Sequence, residues 1–130
     1  MVQRFLLAVD KATVAVEVPV FLDPQETNAI LGRPGGMLGH IDFLQVFEFS
    51  VVILDYKPDA AHEKTVIDQL LLYAIALSRR TGIHLRRIQC AWFDENDYYR
   101  FPSLQAYHAF KCERGHGSVA GIIRRASNSG

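Results

Sequence analysis

The sequence has no net charge: fourteen Lys and Arg balance fourteen Asp and Glu. The molecule as a whole therefore has no electrostatic bias toward a polyanion such as nucleic acid, and any such affinity must come from a local patch. Three adjacent arginine pairs, Arg79-Arg80, Arg86-Arg87 and Arg124-Arg125, are the candidates, either as phosphate contacts along one edge of a groove or as solvated element ends. Cysteine is scarce. Cys90 and Cys112 lie 22 positions apart with no second ligand close by, which fits neither a disulfide-rich secreted scaffold nor a zinc knuckle and leaves two ordinary buried or half-buried thiols. Long hydrophobic runs are also lacking. The apolar stretch within Met1 to Val9 is too short for a signal-peptide core or a membrane span, so the expectation is an intracellular, cytoplasmic protein with no membrane partner. There is no internal repeat and no low-complexity tract.

What is present is an ordinary globular composition. With 130 residues, 49% of them hydrophobic, the chain can build a single core, and we expect one domain over residues 1–123 followed by a flexible tail over 124–130. Phe5 to Phe21 is rich in Val, Ala and Phe and broken at Asp10-Lys11, which suggests two strands and a turn. Pro19 makes the second of these a poor central strand, because proline cannot donate to a ladder. Asp23 to Gly39 carries two prolines and four glycines and reads as a long loop, with room for a short helix from Pro24 to Leu31. His40 to Phe47 and Val51 to Lys57 read as a hairpin. Lys64 to Arg80 has apolar residues at 66, 67, 70, 71, 74 and 77, the spacing of an amphipathic helix, and Gly82 is a natural stop. Ile88 to Phe93 and Tyr98 to Phe101 are strand-like, Asp94 to Asp97 is a turn, and Pro102-Ser103 opens a helix over about Leu104 to Cys112. This order describes an α/β protein with a mixed central sheet, in which the strand after the long helix runs parallel to the one before it.

The chemistry concentrates in the hairpin. Four apolar residues, Val51 to Leu54, lead straight into Asp55, Tyr56 and Lys57, so charge appears where a buried run should continue. Side chains alternate along a strand, which puts Asp55 and Lys57 on one face with Val51 and Ile53. A carboxylate and an ammonium so placed suit metal binding by the acid and water activation by the lysine. A connection centred between Glu48 and Phe49 sets Asp42 directly opposite Asp55, and two facing carboxylates call for a shared cation. The plain alternatives are an edge-strand charge pair for Asp55 and Lys57, a solvated helix residue for Gln69, a core aromatic for Tyr73, a strand residue near the site for His40 and a solvated turn for Asp94, Glu95 and Asp97.

Gly39-His40-Ile41-Asp42, Asp55-Tyr56-Lys57 and the pair Gln69 and Tyr73, in this order, resemble the RecB-type branch of the PD-(D/E)XK nucleases, with its Gly-x-x-Asp strand, (Asp/Glu)-x-Lys strand and Gln-x-x-x-Tyr helix. The resemblance covers roughly Glu17 to Phe93. It implies a restriction-endonuclease-like sheet with flanking helices in a three-layer sandwich, and a metal-dependent deoxyribonuclease acting on DNA, or on RNA. Asp42, Asp55 and the carbonyl of Tyr56 would ligate Mg²⁺ or Mn²⁺, Lys57 would be catalytic, and Gln69 and Tyr73 would support the site. Glu17 matches a position often acidic in related chains. Many members also carry a His or Glu on a preceding helix; sixteen residues precede Glu17 here and none is His. The competing expectation is therefore a PD-(D/E)XK-like binding module of weakened activity, or one subunit of a larger nuclease, with a homodimer or a partner subunit completing the site.

Overall fold

The computed structural model describes residues 13–62, 65–113 and 123–127. Its centre is a six-stranded mixed sheet in chain order: β1 (Thr13–Leu22), β2 (Met37–Val46), β3 (Val51–Tyr56), β4 (Ile88–Phe93), β5 (Asp97–Pro102) and β6 (Arg124–Ser127). Only the β3–β4 pair is parallel, as the helical crossover between them requires. The crossover is helix α2 (Val66–Thr81), stopped by Gly82 at φ 82°, a left-handed conformation that glycine adopts without a Cβ penalty. Helix α1 (Pro24–Leu31) starts at the expected proline. Asp23 accepts from the Glu26 amide while Glu26 accepts from the Asp23 amide, a reciprocal capping box. Helix α3 (Ser103–Glu113) follows β5 directly.

The core lies between the sheet and the helices. Leu70, Leu71, Tyr73, Ala74 and Leu77 of α2 meet Val20, Ile41, Val51, Ile53, Cys90 and Trp92 from the strands, with Ile30 of α1 and Tyr107 of α3 packed against them. Val52, Leu54, Ala91 and Phe93 face the other way into a second, smaller cluster with Phe43, Phe47, Tyr56 and Tyr98. The α/β class and the mixed sheet match expectation. Among the described residues, however, all three helices pack on one face, giving two layers rather than three. No helix among them is long and apolar enough to cross a membrane.

Several elements differ from the sequence reading. Arg124–Ser127, expected to begin a flexible tail, pair with β5 as β6. Residues 1–12, where a first strand is expected, and 128–130 lie outside the described residues. Cys112 is exposed, whereas Cys90 is buried with its thiol 3.6 Å from the Leu70 carbonyl. Pro19 sits in β1, which among the described residues is an edge strand, the place in a sheet that tolerates proline.

The turn at Asp94 to Asp97 is not simply solvated. Asp94 is buried and accepts from the amides of Ala60 at 2.7 Å and of Asn96 and Asp97 at 2.8 Å, so one carboxylate ties the turn after β4 to the loop after β3. Burial raises its pKa, but these backbone donors outweigh the burial and hold it below the ordinary 3.8. Its contribution to stability is thus present above that pH and lost as the pH falls below it. Asp94→Ala strands three amide donors and is expected to cost about 2–4 kcal/mol in urea unfolding, with Asp94→Asn, which keeps an acceptor oxygen, costing less.

Candidate active site

The register of the β2–β3 hairpin is the one expected. Val46 pairs with Val51, Gln45 with Val52, Leu44 with Ile53 and Phe43 with Leu54; Asp42 and Asp55 are the next residues along the two strands, and their carboxyls adjoin. The turn is closed by the Phe47 amide donating to the Ser50 carbonyl at 2.8 Å. Because Leu54 and Phe43 share the outer cluster, Asp55 and Asp42 share the level at which β3 ends and the sheet opens.

At this level the pleat is broken. Ile41 and Phe43, two apart on β2, should share a face; Ile41 belongs to the helix-side core and Phe43 to the outer cluster. Across from them, Val18 pairs with Ile41 and Val16 with Phe43, and between them Glu17 takes φ 50°. A non-glycine residue at positive φ within a strand stores backbone strain, and such strain collects at functional sites. Here it coincides with the change of face that delivers Asp42 to Asp55.

Asp55 is 4% exposed, and its Oδ2 is a buried oxygen with no hydrogen bond. The Lys57 ammonium lies 3.2 Å from that oxygen, at ion-pair distance but outside hydrogen-bond geometry. Burial, then hydrogen bonding to and repulsion from Asp42, push the Asp55 carboxyl up to about 7, with Lys57 opposing the shift. Two adjoining carboxyls of this kind favour a shared proton or a cation, and the Lys57 ammonium is one counter-charge already in place. Asp42 also accepts from the Tyr56 amide at 3.2 Å, so its carboxylate is fixed to the strand that carries Asp55. Lys57 is anchored by its own amide, which donates to the Phe93 carbonyl at 2.9 Å.

Gln69 and Tyr73 form a separate group. The Gln69 amide donates to the Tyr73 hydroxyl at 2.9 Å, and Tyr73 is a core residue lying on Gly39 of β2. A Cβ at position 39 would come within 2.6 Å of the Tyr73 ring, which accounts for glycine there. The two groups are thus joined through β2, from Gly39 to Asp42; among the described residues no hydrogen bond links them directly. His40 is exposed opposite Pro19, and Glu17 is exposed beside Asp42.

The arginine pairs do not converge on the dyad. Arg79 and Arg80 both bind Glu26, and Arg80 also covers the Phe21 ring at 4.3 Å. Arg86-Arg87 precede Ile88, which pairs with Val51 at the opposite end of β3, and Arg87 donates to the Phe49 carbonyl at 3.0 Å. Arg125 shares the level of Asp55 through Trp92 and Tyr99, but it lies three strands away, about 14 Å, and binds Asp97.

The residues fit a divalent cation in part. Asp42 and Asp55 supply hard oxygen ligands, and the unbonded Oδ2 is a natural donor; Mg²⁺ commonly takes one or two carboxylates and keeps several waters. Among the described residues no group of three or more His, Cys, Asp or Glu side chains is placed to hold a metal. The sequence reading missed Asp94 and Glu95. Glu95 accepts from the Tyr56 hydroxyl at 2.5 Å and so steadies the residue between Asp55 and Lys57. The cue was the run Asp94 to Asp97, an aspartate followed by amides it can cap. No known family model and no curated protein sequence matches this chain.

Proposed function

We propose that the protein is a Mg²⁺- or Mn²⁺-dependent nuclease of the restriction-endonuclease-like PD-(D/E)XK kind, hydrolysing DNA phosphodiester bonds. The observation that carries the reading is the Asp42–Asp55 pair, a buried carboxylate oxygen without a hydrogen bond, with an ammonium 3.2 Å away. A cation held by these carboxylates would neutralise the phosphodiester and lower the pKa of water. Lys57 orients the attacking water and offsets the negative charge gathering on the phosphate oxygens. The Tyr56 amide holds Asp42, and the Tyr56 carbonyl, between the two charged residues, is the third oxygen offered to the ion. Gln69 and Tyr73 act at a distance, by fixing β2 at Gly39.

The engagement of Arg79, Arg80 and Arg125 with carboxylates favours a second reading, a subunit that needs a partner, or a second copy, to grip the backbone. Leu38, 80% exposed beside the edge strand, suits such a partner. The test is cleavage of labelled single- and double-stranded DNA, linear and circular, with Mg²⁺ or Mn²⁺. Metal-dependent cutting by the wild type and its loss in Lys57→Ala is the expected result. A folded wild-type protein that cuts no substrate supports the second reading.

A further inference from the structure

On the outer face of the sheet, beside Asp42, lies an open cleft of about 520 Å³ lined by Val16, Glu17, Asp42, Phe43, Tyr56 and Glu95. Its walls are of two kinds: apolar and aromatic surface from Val16, Phe43 and Tyr56, and carboxylate acceptors from Glu17, Asp42 and Glu95. Among the described residues no lysine or arginine lines it, so its chemistry disfavours phosphate. A flat group that carries N–H donors on its edge satisfies both kinds of wall.

We propose that this cleft takes an unstacked nucleobase with an amino edge, cytosine or a purine, and that the substrate is accordingly single-stranded or frayed DNA. The inference rests on the nuclease reading for the identity of the ligand. Tyr56 is the stacking platform, and it is held on three sides. Its hydroxyl donates to Glu95 at 2.5 Å, its ring packs in a T-shaped arrangement with Phe93 at 5.7 Å and 72°, and its amide donates to Asp42 at 3.2 Å. Phe43, tilted against Phe93 at 6.2 Å, forms the neighbouring wall. A rigid aromatic face gives base stacking without sequence preference, and carboxylates accept from exocyclic amino groups. Asp42 belongs both to the cleft and to the Asp42–Asp55 pair, so a base seated here brings its own sugar-phosphate to the cation site. A base paired within a duplex cannot enter.

The test is binding of the full chain in Ca²⁺, followed by fluorescence anisotropy. The probes are a labelled oligodeoxycytidine, an abasic backbone of the same length and charge, and a blunt duplex. Oligodeoxycytidine is expected to bind roughly ten- to a hundredfold more tightly than the abasic strand. Tyr56→Leu is expected to erase that preference, and Tyr56→Phe, which keeps the ring, to retain it, with circular dichroism confirming the fold of both. Equal affinity for the abasic strand, an equal loss for both strands in Tyr56→Leu, or displacement by a guanidinium-bearing peptide in place of the base overturns the proposal. The two readings separate cleanly. Base-dependent binding without Mg²⁺- or Mn²⁺-dependent cutting rejects the nuclease and keeps the cleft, whereas cutting without base preference does the reverse.

Discussion

On the proposed nuclease reading, replacing Asp55 by Asn is expected to stabilise the metal-free protein at pH 8 while abolishing both the proposed DNA cleavage and any rise in melting temperature on adding Mg²⁺. In the folded protein the Asp55 carboxyl is pushed up to about 7 from an ordinary 3.8, by burial first and by Asp42 second. The folded state therefore holds a proton that the unfolded state releases, and stability falls as the pH rises from about 4 to about 7. Below that window both states are protonated and the wild type and Asn variant are alike. Above it the wild type carries a buried charge beside Asp42, at a cost on the order of a few kcal/mol that the Lys57 ion pair only partly offsets. Asn keeps the shape and removes the charge, for an expected gain of about 1–2 kcal/mol at pH 8.

Divalent cation should act on the same charge. Binding to the folded protein alone raises the melting temperature, and the rise should be larger at pH 8 than at pH 6, where a proton competes for the pair. Asp55→Asn should flatten both the metal effect and its pH dependence, and cleavage should fall by about three orders of magnitude or more, as expected when several kcal/mol of charge stabilisation are lost. Calorimetric melting with and without Mg²⁺ at the two pH values decides the matter. An Asn variant less stable than wild type at pH 8, and still stabilised by Mg²⁺, would mean that the two carboxylates carry no shared load.

The second large effect is expected far from charge, at Gly39. A Cβ there would stand 2.6 Å from Tyr73 Cε1 and 2.8 Å from its hydroxyl, so Gly39→Ala must displace a core ring that also holds Gln69. Overpacking of this kind costs about 1–3 kcal/mol, on the order of 5–10 °C in melting temperature for a domain of this size. If the clash is the cause, the same substitution made in a Tyr73→Leu background should cost little, and the double-mutant cycle should show strong coupling. Additive losses would place the cause elsewhere. Since β2 carries both Gly39 and Asp42, the substitution should also lower the proposed cleavage.

Helix α2 and the β2–β3 hairpin show where local pattern is enough. The spacing of 66, 67, 70, 71, 74 and 77 specifies α2, because an apolar stripe has one way to bury itself; Gly82 ends the helix for a steric reason internal to one residue. The hairpin register followed from a short connection, and with it the meeting of Asp42 and Asp55, since alternation leaves little freedom once a turn is fixed. Asp55 and Lys57 on one face needed only the period of a strand. What local pattern could not show depends on residues distant in sequence. Asp94 reads as solvent-facing until Ala60 comes over it, and Arg79, Arg80 and Arg125 read as available until Glu26 and Asp97 reach them. Likewise, Arg124–Ser127 read as tail until β5 offers an edge. Glu17 at positive φ, and the change of face beside it, answer to two strands jointly and to neither alone. The sequence by itself determined which residues carry charge at the end of a buried strand; only tertiary structure decided which charges remain unsatisfied there, because burial and partnership are properties of the packed chain.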